Sequence, residues 1–246
     1  MNSLDEVLIE NIDIPIESDN INLKGSIYFS SNTPSKAPWI ITLAAFGGHR
    51  NTKFVKFYNE RFVKAGYYTL SYDYRGHGET AKETGQIFSS KGYQMYPKIY
   101  SDINEVISWI LEEQSKRLLD EKIALFGRSL GAAIILSQGF IDTRAKILIA
   151  LAGRYDYEIH RIKFSKEIIK KVSPKYFLTK DPLNNERIII AHCQDDDIVT
   201  FDNFIHIKEH LGLNNRNAIT FENGGHSFRG HRDEVFEHSL EFLKKL

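Results

Sequence analysis

Residues 124–134 read "ALFGRSLGAAI" and set one serine between two glycines, at Gly127-Arg128-Ser129-Leu130-Gly131. Ser129 is either a nucleophile held on a sharp turn or an ordinary polar residue closing a strand. The pentapeptide does not separate the two, but its flanks do. "KIALFG" ahead of it is an apolar strand, and residues 130–138 behind it form a helix. Small residues on both sides of a serine let a strand turn tightly into a helix and present the hydroxyl at the bend.

Outward from this point, strands and helices alternate. "WIITLAAF", "YYTLSYDY", "AKILIALAG" and "ERIIIAH" are largely apolar runs, as strands buried on both faces require. "AITFEN" is a shorter strand, and "RGHGET" reads as a glycine turn. Helical spacing covers 52–65, with Phe54, Phe57, Tyr58, Phe62 and Val63 on one side and Gly66 as the stop. It recurs over 101–114 through Ile103, Val106, Ile107, Ile110 and Leu111, over 201–211, and over 234–246. Before all of these, 7–17 and 23–29 alternate apolar with polar, like two antiparallel strands joined at "SDN". The expected fold is α/β: a mostly parallel central sheet with antiparallel N-terminal strands and helices on both faces, in one domain over 1–246. One interval breaks the rhythm. Residues 153–186 are too long for an ordinary connection, and carry a helical piece at 164–172 followed by Ser173-Pro174. They are expected to form a small lid over the sheet; a long crossover helix with loose ends is the alternative.

Composition narrows the function. Among 246 residues, 32 Lys and Arg balance 32 Asp and Glu, which argues against a nucleic-acid partner. Cys193 is the single cysteine, so no intrachain disulfide can form. The acidic start "MNSLDEVLIENIDIPIE" lacks the pattern of a signal peptide, and no apolar run reaches the length of a membrane span. The expected location is the cytoplasm.

A serine hydroxyl attacks a carbonyl only with a base to take its proton and a third group to orient that base. In a strand-turn-helix arrangement the order is serine, acid, histidine, each at the end of a later strand. "CQDDDIV" follows "ERIIIAH" and offers Asp195, Asp196 and Asp197; "GGHSF" follows "AITFEN" and offers His226. Residue order alone does not choose among the three aspartates.

The motifs "FGGHRNTKF", "DYRGHGET", "FGRSLGA", "AHCQDDDIV" and "GGHSF" resemble, in this order, those of the α/β-hydrolase superfamily. The resemblance is to its compact serine esterase branch, which holds monoacylglycerol lipases and feruloyl or cinnamoyl esterases. There the acid follows H-G-x-x-D-x-x-V; laid on His192 and Val199, the resemblance implies Asp196. It also implies two backbone donors to an oxyanion, from Leu130 and from Phe46. Two departures stand out: Ala44-Ala45 replaces a His-Gly pair ahead of Phe46, and Cys193 replaces the glycine after His192. Alanine resists some backbone angles that glycine adopts, so the hole is expected to differ in shape. The implied activity is that of a serine carboxylesterase acting on small-molecule esters with aryl or short-to-medium acyl groups, with Ser129, Asp196 and His226 as its triad and no cofactor or metal. Another acyl hydrolase, a thioesterase or peptidase, and a non-catalytic ligand-binding homologue are the alternatives.

Other features have plainer readings. His206 and His210 lie one turn apart on a helix, without the glutamate of a zinc-protease motif. His77 reads as structural. Lys163, Lys166, Lys170, Lys171 and Lys175 make a solvated face, with an acidic substrate as the alternative. Phe164, Ile168, Ile169, Tyr176 and Phe177 line either a pocket or the core.

Overall fold

Trp39, Ile40, Ile41 and Leu43 are fully buried, as a strand covered on both faces demands. A computed structural model of the protein describes residues 6–87, 92–158 and 163–246, with the backbone alone at 92 and 93. Among these residues eight strands form one sheet: β1 (Val7–Ile16), β2 (Ile21–Ser30), β3 (Ala37–Leu43), β4 (Tyr68–Tyr72), β5 (Leu118–Arg128), β6 (Ala145–Leu151), β7 (Ile188–Cys193) and β8 (Ala218–Phe221). Their order is β1-β2-β4-β3-β5-β6-β7-β8. β2 pairs antiparallel with β1 and β4, and every other pairing is parallel. The expected fold class is the one observed.

The helices are α1 (Lys53–Lys64), α2 (Gly78–Thr84), α3 (Tyr96–Glu113), α4 (Leu130–Ile134), α5 (Lys166–Val172), α6 (Asn184–Arg187), α7 (Asp202–Leu211) and α8 (Arg232–Leu243). Successive side chains of β5 show that both faces are covered. Phe126 meets Tyr58 and Phe62 of α1, and Phe62 in turn meets Phe236 of α8. The neighbouring Leu125 lies under Gly139, in the π-helical turn Ile135–Gly139 that continues α4.

Two helices depart from the sequence expectation. α3 begins at Tyr96 rather than at 101, because Pro97 occupies its first turn, where a missing N–H breaks no bond. α2 stands where "RGHGET" reads as a turn. Its start is held by Asp73, whose carboxylate accepts the Glu79 N–H at 2.8 Å, and Gly85 ends it at φ 67°.

Between β6 and β7 lie α5, a 3₁₀ turn over Pro174–Tyr176, and α6; residues 159–162 of the expected lid lie outside the described residues. Ser165 caps α5 by accepting the Ile168 N–H, and Ile169 and Val172 are buried. Phe164 packs on Tyr96 of α3 and on Tyr157, with centroids 5.0 and 5.7 Å apart. Tyr176 is exposed. Lys171 pairs with Glu167, and Lys175 with Asp156 and Glu158. Among the described residues, no helix is long and apolar enough to cross a membrane.

Candidate active site

Ser129 follows β5 directly and has φ 58° and ψ −112°, a backbone conformation that non-glycine residues seldom adopt. The strain is held by close packing. A Cβ on Gly131 would stand 2.5 Å from the Leu43 carbonyl oxygen, and one on Gly127 would stand 2.9 Å from the Gly131 carbonyl carbon. Only glycine at both places lets α4 start this close to β3.

Backbone hydrogen bonds continue past the strand ends and tie the loops together. Ser129 N–H donates to Leu151 O at 2.9 Å, Ala152 N–H to Ala191 O at 2.9 Å, and Gln194 N–H to Phe221 O at 2.8 Å. On the other side Gly131 N–H donates to Ala44 O at 3.1 Å. Leu130 N–H, between two engaged amides, donates to none of the described residues.

The structure brings Asp196 and His226, the acid and base expected from the sequence, together. His226 Nδ1 lies 2.8 Å from Asp196 Oδ2. Since that carboxylate only accepts, Nδ1 carries a proton, and in the neutral ring Nε2 is then the acceptor. Asp196 Oδ1 accepts the Ile198 and Val199 N–H groups, each at 2.9 Å. His192 Nε2, 2.8 Å from Val199 O and 3.2 Å from Asp196 Oδ2, faces two acceptors and so carries a proton. Burial pushes the Asp196 carboxyl upward, but the His192, His226 and Val199 hydrogen bonds outweigh it and hold the group well below the ordinary carboxylate range. Asp195 does something else: its oxygens accept Gly224 N–H at 3.1 Å and Gly225 N–H at 2.8 Å, fixing the turn that carries His226. Among the described residues no hydrogen bond joins Ser129 to His226. Their loops are linked one residue away, where Arg128 Nη1 donates to Ser227 Oγ at 3.1 Å.

Ala44 and Ala45 are not among the residues with positive φ. The alanines therefore bear no left-handed strain; that conformation falls on Gly47, at φ 71°, in a turn closed by Gly48 N–H donating to Ala45 O. Tyr74 Oη donates to Ala44 O at 2.8 Å and braces the loop where the related pattern has a histidine. The Phe46 ring, half exposed, meets His77 edge-on at 5.6 Å.

A pocket of about 150 Å³ opens at Ser129 and Leu130, walled by Phe46, Tyr96, Tyr157, Ile198 and Val199, with Arg154. None of the five apolar residues singled out in the 164–177 segment lines it; Phe164 stands behind Tyr96 and Tyr157. Cys193 is buried, and its thiol is pushed up to about 12 by burial and by Asp195 and Asp196. His206 and His210 belong to a Tyr155 cluster: the His206 ring stacks at 5.4 Å and His210 Nδ1 lies 3.0 Å from the phenol. Among the described residues no group of side chains suits a metal ion.

Residue patterns left three contributors unread: Tyr74, Arg128 and Asp195. Asp195 sits within a readable motif, yet its capping role shows only once the Gly224-Gly225 turn is folded against it.

The family model described as serine aminopeptidase, S33, matches residues 41–199. An uncharacterised 31.7 kDa protein in the traX-finO intergenic region of Escherichia coli is 33% identical over 124 residues, 50% of this chain and 40% of that protein. The quorum-quenching protein AidA of Acinetobacter baumannii is 24% identical over 152 residues, 60% of this chain and 45% of that protein. The matched segments thus span less than half the length of these curated relatives. Among solved structures, Est1E from Butyrivibrio proteoclasticus with ferulic acid bound superposes with a TM-score of 0.74 at 18% identity, over 95% of this chain and 98% of that one. A putative dipeptidyl aminopeptidase IV from Bacteroides ovatus gives 0.75 at 13%, over 99% of this chain and 36% of that one. At these identities the likeness concerns the fold, which is that of the α/β-hydrolases.

Proposed function

The chain belongs to the hydrolase family described as serine aminopeptidase, S33, and from that membership and the site's geometry we propose that it is a serine esterase acting on small or aryl acyl esters. The observation that carries the reading is the Asp196–His226 contact of 2.8 Å, on a loop tied by Arg128 and Ser227 to the strained, glycine-flanked turn of Ser129.

Ser129 Oγ attacks the ester carbonyl carbon while His226 Nε2 takes its proton. Asp196, ionised and hydrogen-bonded to Nδ1, keeps the ring in the right tautomer and stabilises the imidazolium. The oxyanion receives the Leu130 and Phe46 N–H groups. The C–O bond to the alcohol breaks, and the alcohol leaves with the proton held on Nε2. Water then adds to the acyl-enzyme, giving its proton to His226, and Ser129 departs with that proton as the acid is released. The Ser129–His226 hydrogen bond forms when substrate enters, as catalytic bonds open in a free enzyme commonly do.

The pocket's size and aromatic wall support short or aryl acyl groups over long chains. The family description raises a peptidase as the second reading. An aminopeptidase holds its substrate's α-ammonium with acidic groups, whereas the described pocket lining carries an arginine and no carboxylate. A cytoplasmic location is proposed with this reading, in keeping with the single buried cysteine.

The test is a panel of p-nitrophenyl esters of increasing chain length, with matched thioesters and peptide anilides. Ester turnover with a short-chain or aryl optimum is expected, together with labelling by a fluorophosphonate. Ser129→Ala should abolish labelling and lower kcat by a factor on the order of 10⁴ or more. Near-normal turnover in that variant, or turnover of anilides alone, would sink the proposal.

A further inference from the structure

Among the described residues, Arg154 is the sole charged side chain lining the pocket at Ser129. It follows β6 by three residues and is partly buried. Nη2 donates to Ile198 O at 3.1 Å, and the guanidinium stands 5.7 Å from the centre of the Tyr157 ring. One backbone bond leaves most of the five guanidinium donors for something else.

Four carboxylates of this region are committed elsewhere, and the exposed Asp197 makes no ion pair with Arg154. Asp156 and Glu158 pair with Lys175. Asp196 is enclosed by His192, His226 and two backbone N–H groups, and Asp195 holds the Gly224-Gly225 turn. Among the described residues no carboxylate lies within ion-pairing distance of Arg154, whose polar contact is the Ile198 carbonyl. The structural Arg187 spends its guanidinium on four backbone carbonyls, those of Gly139, Phe140, Asp142 and Ala145. Arg154 makes one such bond and lines the pocket at Ser129, beside Tyr157.

We propose that Arg154 is a specificity residue that binds a carboxylate on the substrate, so that the preferred esters carry one anionic group besides the ester being cleaved. The guanidinium fork matches a carboxylate with two parallel N–H···O bonds, a geometry a neutral ester cannot use. The inference rests on the esterase reading for its catalytic side, but the binding it names does not require turnover.

Binding is therefore measured first, by calorimetry on the Ser129→Ala protein. The probes are 4-acetoxybenzoate against methyl 4-acetoxybenzoate, with the charge on the alcohol side, and mono-4-nitrophenyl glutarate against 4-nitrophenyl pentanoate, with the charge on the acyl side. At least one carboxylate should bind about tenfold or more tightly than its neutral match, a factor typical of one charge-assisted pair. Arg154→Met should remove that preference, and Arg154→Lys should keep part of it. In the active enzyme the same preference should appear in KM rather than kcat. Equal binding of both members of both pairs overturns the inference, as does a preference that survives Arg154→Met. Failure of the esterase reading looks different: no ester is turned over and no fluorophosphonate is incorporated, whatever calorimetry returns.

Discussion

Asp195, Asp196 and Asp197 are neighbours in sequence, yet their carboxylates have different surroundings. Asp196 is enclosed and faces His226; Asp195 holds the turn beneath that histidine; Asp197 is exposed. Asp196→Asn should lower kcat by about 10⁴, since an amide there turns the imidazole to the wrong tautomer. Asp195→Ala leaves the tautomer alone and loosens the turn, so a loss of about tenfold in kcat is expected, of the size that misplaced catalytic groups produce. Asp197→Asn should change little. A larger loss at Asp195 than at Asp196 would reverse the assignment. Because the Asp196 carboxyl is depressed below its ordinary value of 3.8, it stabilises the fold above that value and loses the contribution as pH falls toward the folded value. Urea midpoints of wild type and Asp196→Asn should accordingly differ by a constant amount well above about pH 4 and start to approach one another only below it. This aspartate was legible only through the spacing from His192 to Val199, and nothing in "QDDD" itself distinguished it.

At the scale of elements, the loop after β3 is fixed from two directions, by Gly131 N–H and by the Tyr74 hydroxyl, both on Ala44 O. Tyr74→Phe removes one of these and should lower kcat several-fold with KM little changed, at a stability loss of about 1 kcal/mol. Ala45→Gly, by contrast, should bring no rate gain, because position 45 does not need positive φ. A gain of tenfold or more in steady-state kcat would mean that alanine strains the loop after all. Elements with one dominant period were readable: the apolar strands, and α1, α7 and α8 to within two residues at most of their ends, α8's last turn excepted. α2 and the first turn of α3 were not, because glycine and proline there satisfy helix termini instead of breaking helices. The Tyr74–Ala44 bond spans 30 residues and leaves no periodic trace. The brace on the loop after β3 was therefore invisible where that loop's departure from the related pattern was plain.

For the whole molecule, Cys193 offers a probe of global opening. It is fully buried at the end of β7, with its thiol raised to about 12. A thiol kept neutral by the fold should resist a disulfide reagent at pH 8 in the native protein and react at the rate of unfolding once urea is added. Prompt reaction without denaturant would show that the acid loop opens on its own. The bonds that run on past the strand ends carry a further consequence, for time rather than geometry. The amides of Ser129 and Ala152 lie in loops by position, yet each is locked to the next strand's carbonyl. They should exchange their protons with solvent as slowly as the centre of the sheet, through whole-molecule unfolding and not through local fluctuation. In refolding, protection of the Ser129 amide should appear together with that of Ala152, once β5, β6 and β7 have docked; protection of Ser129 well ahead of Ala152 would show that the turn forms on its own.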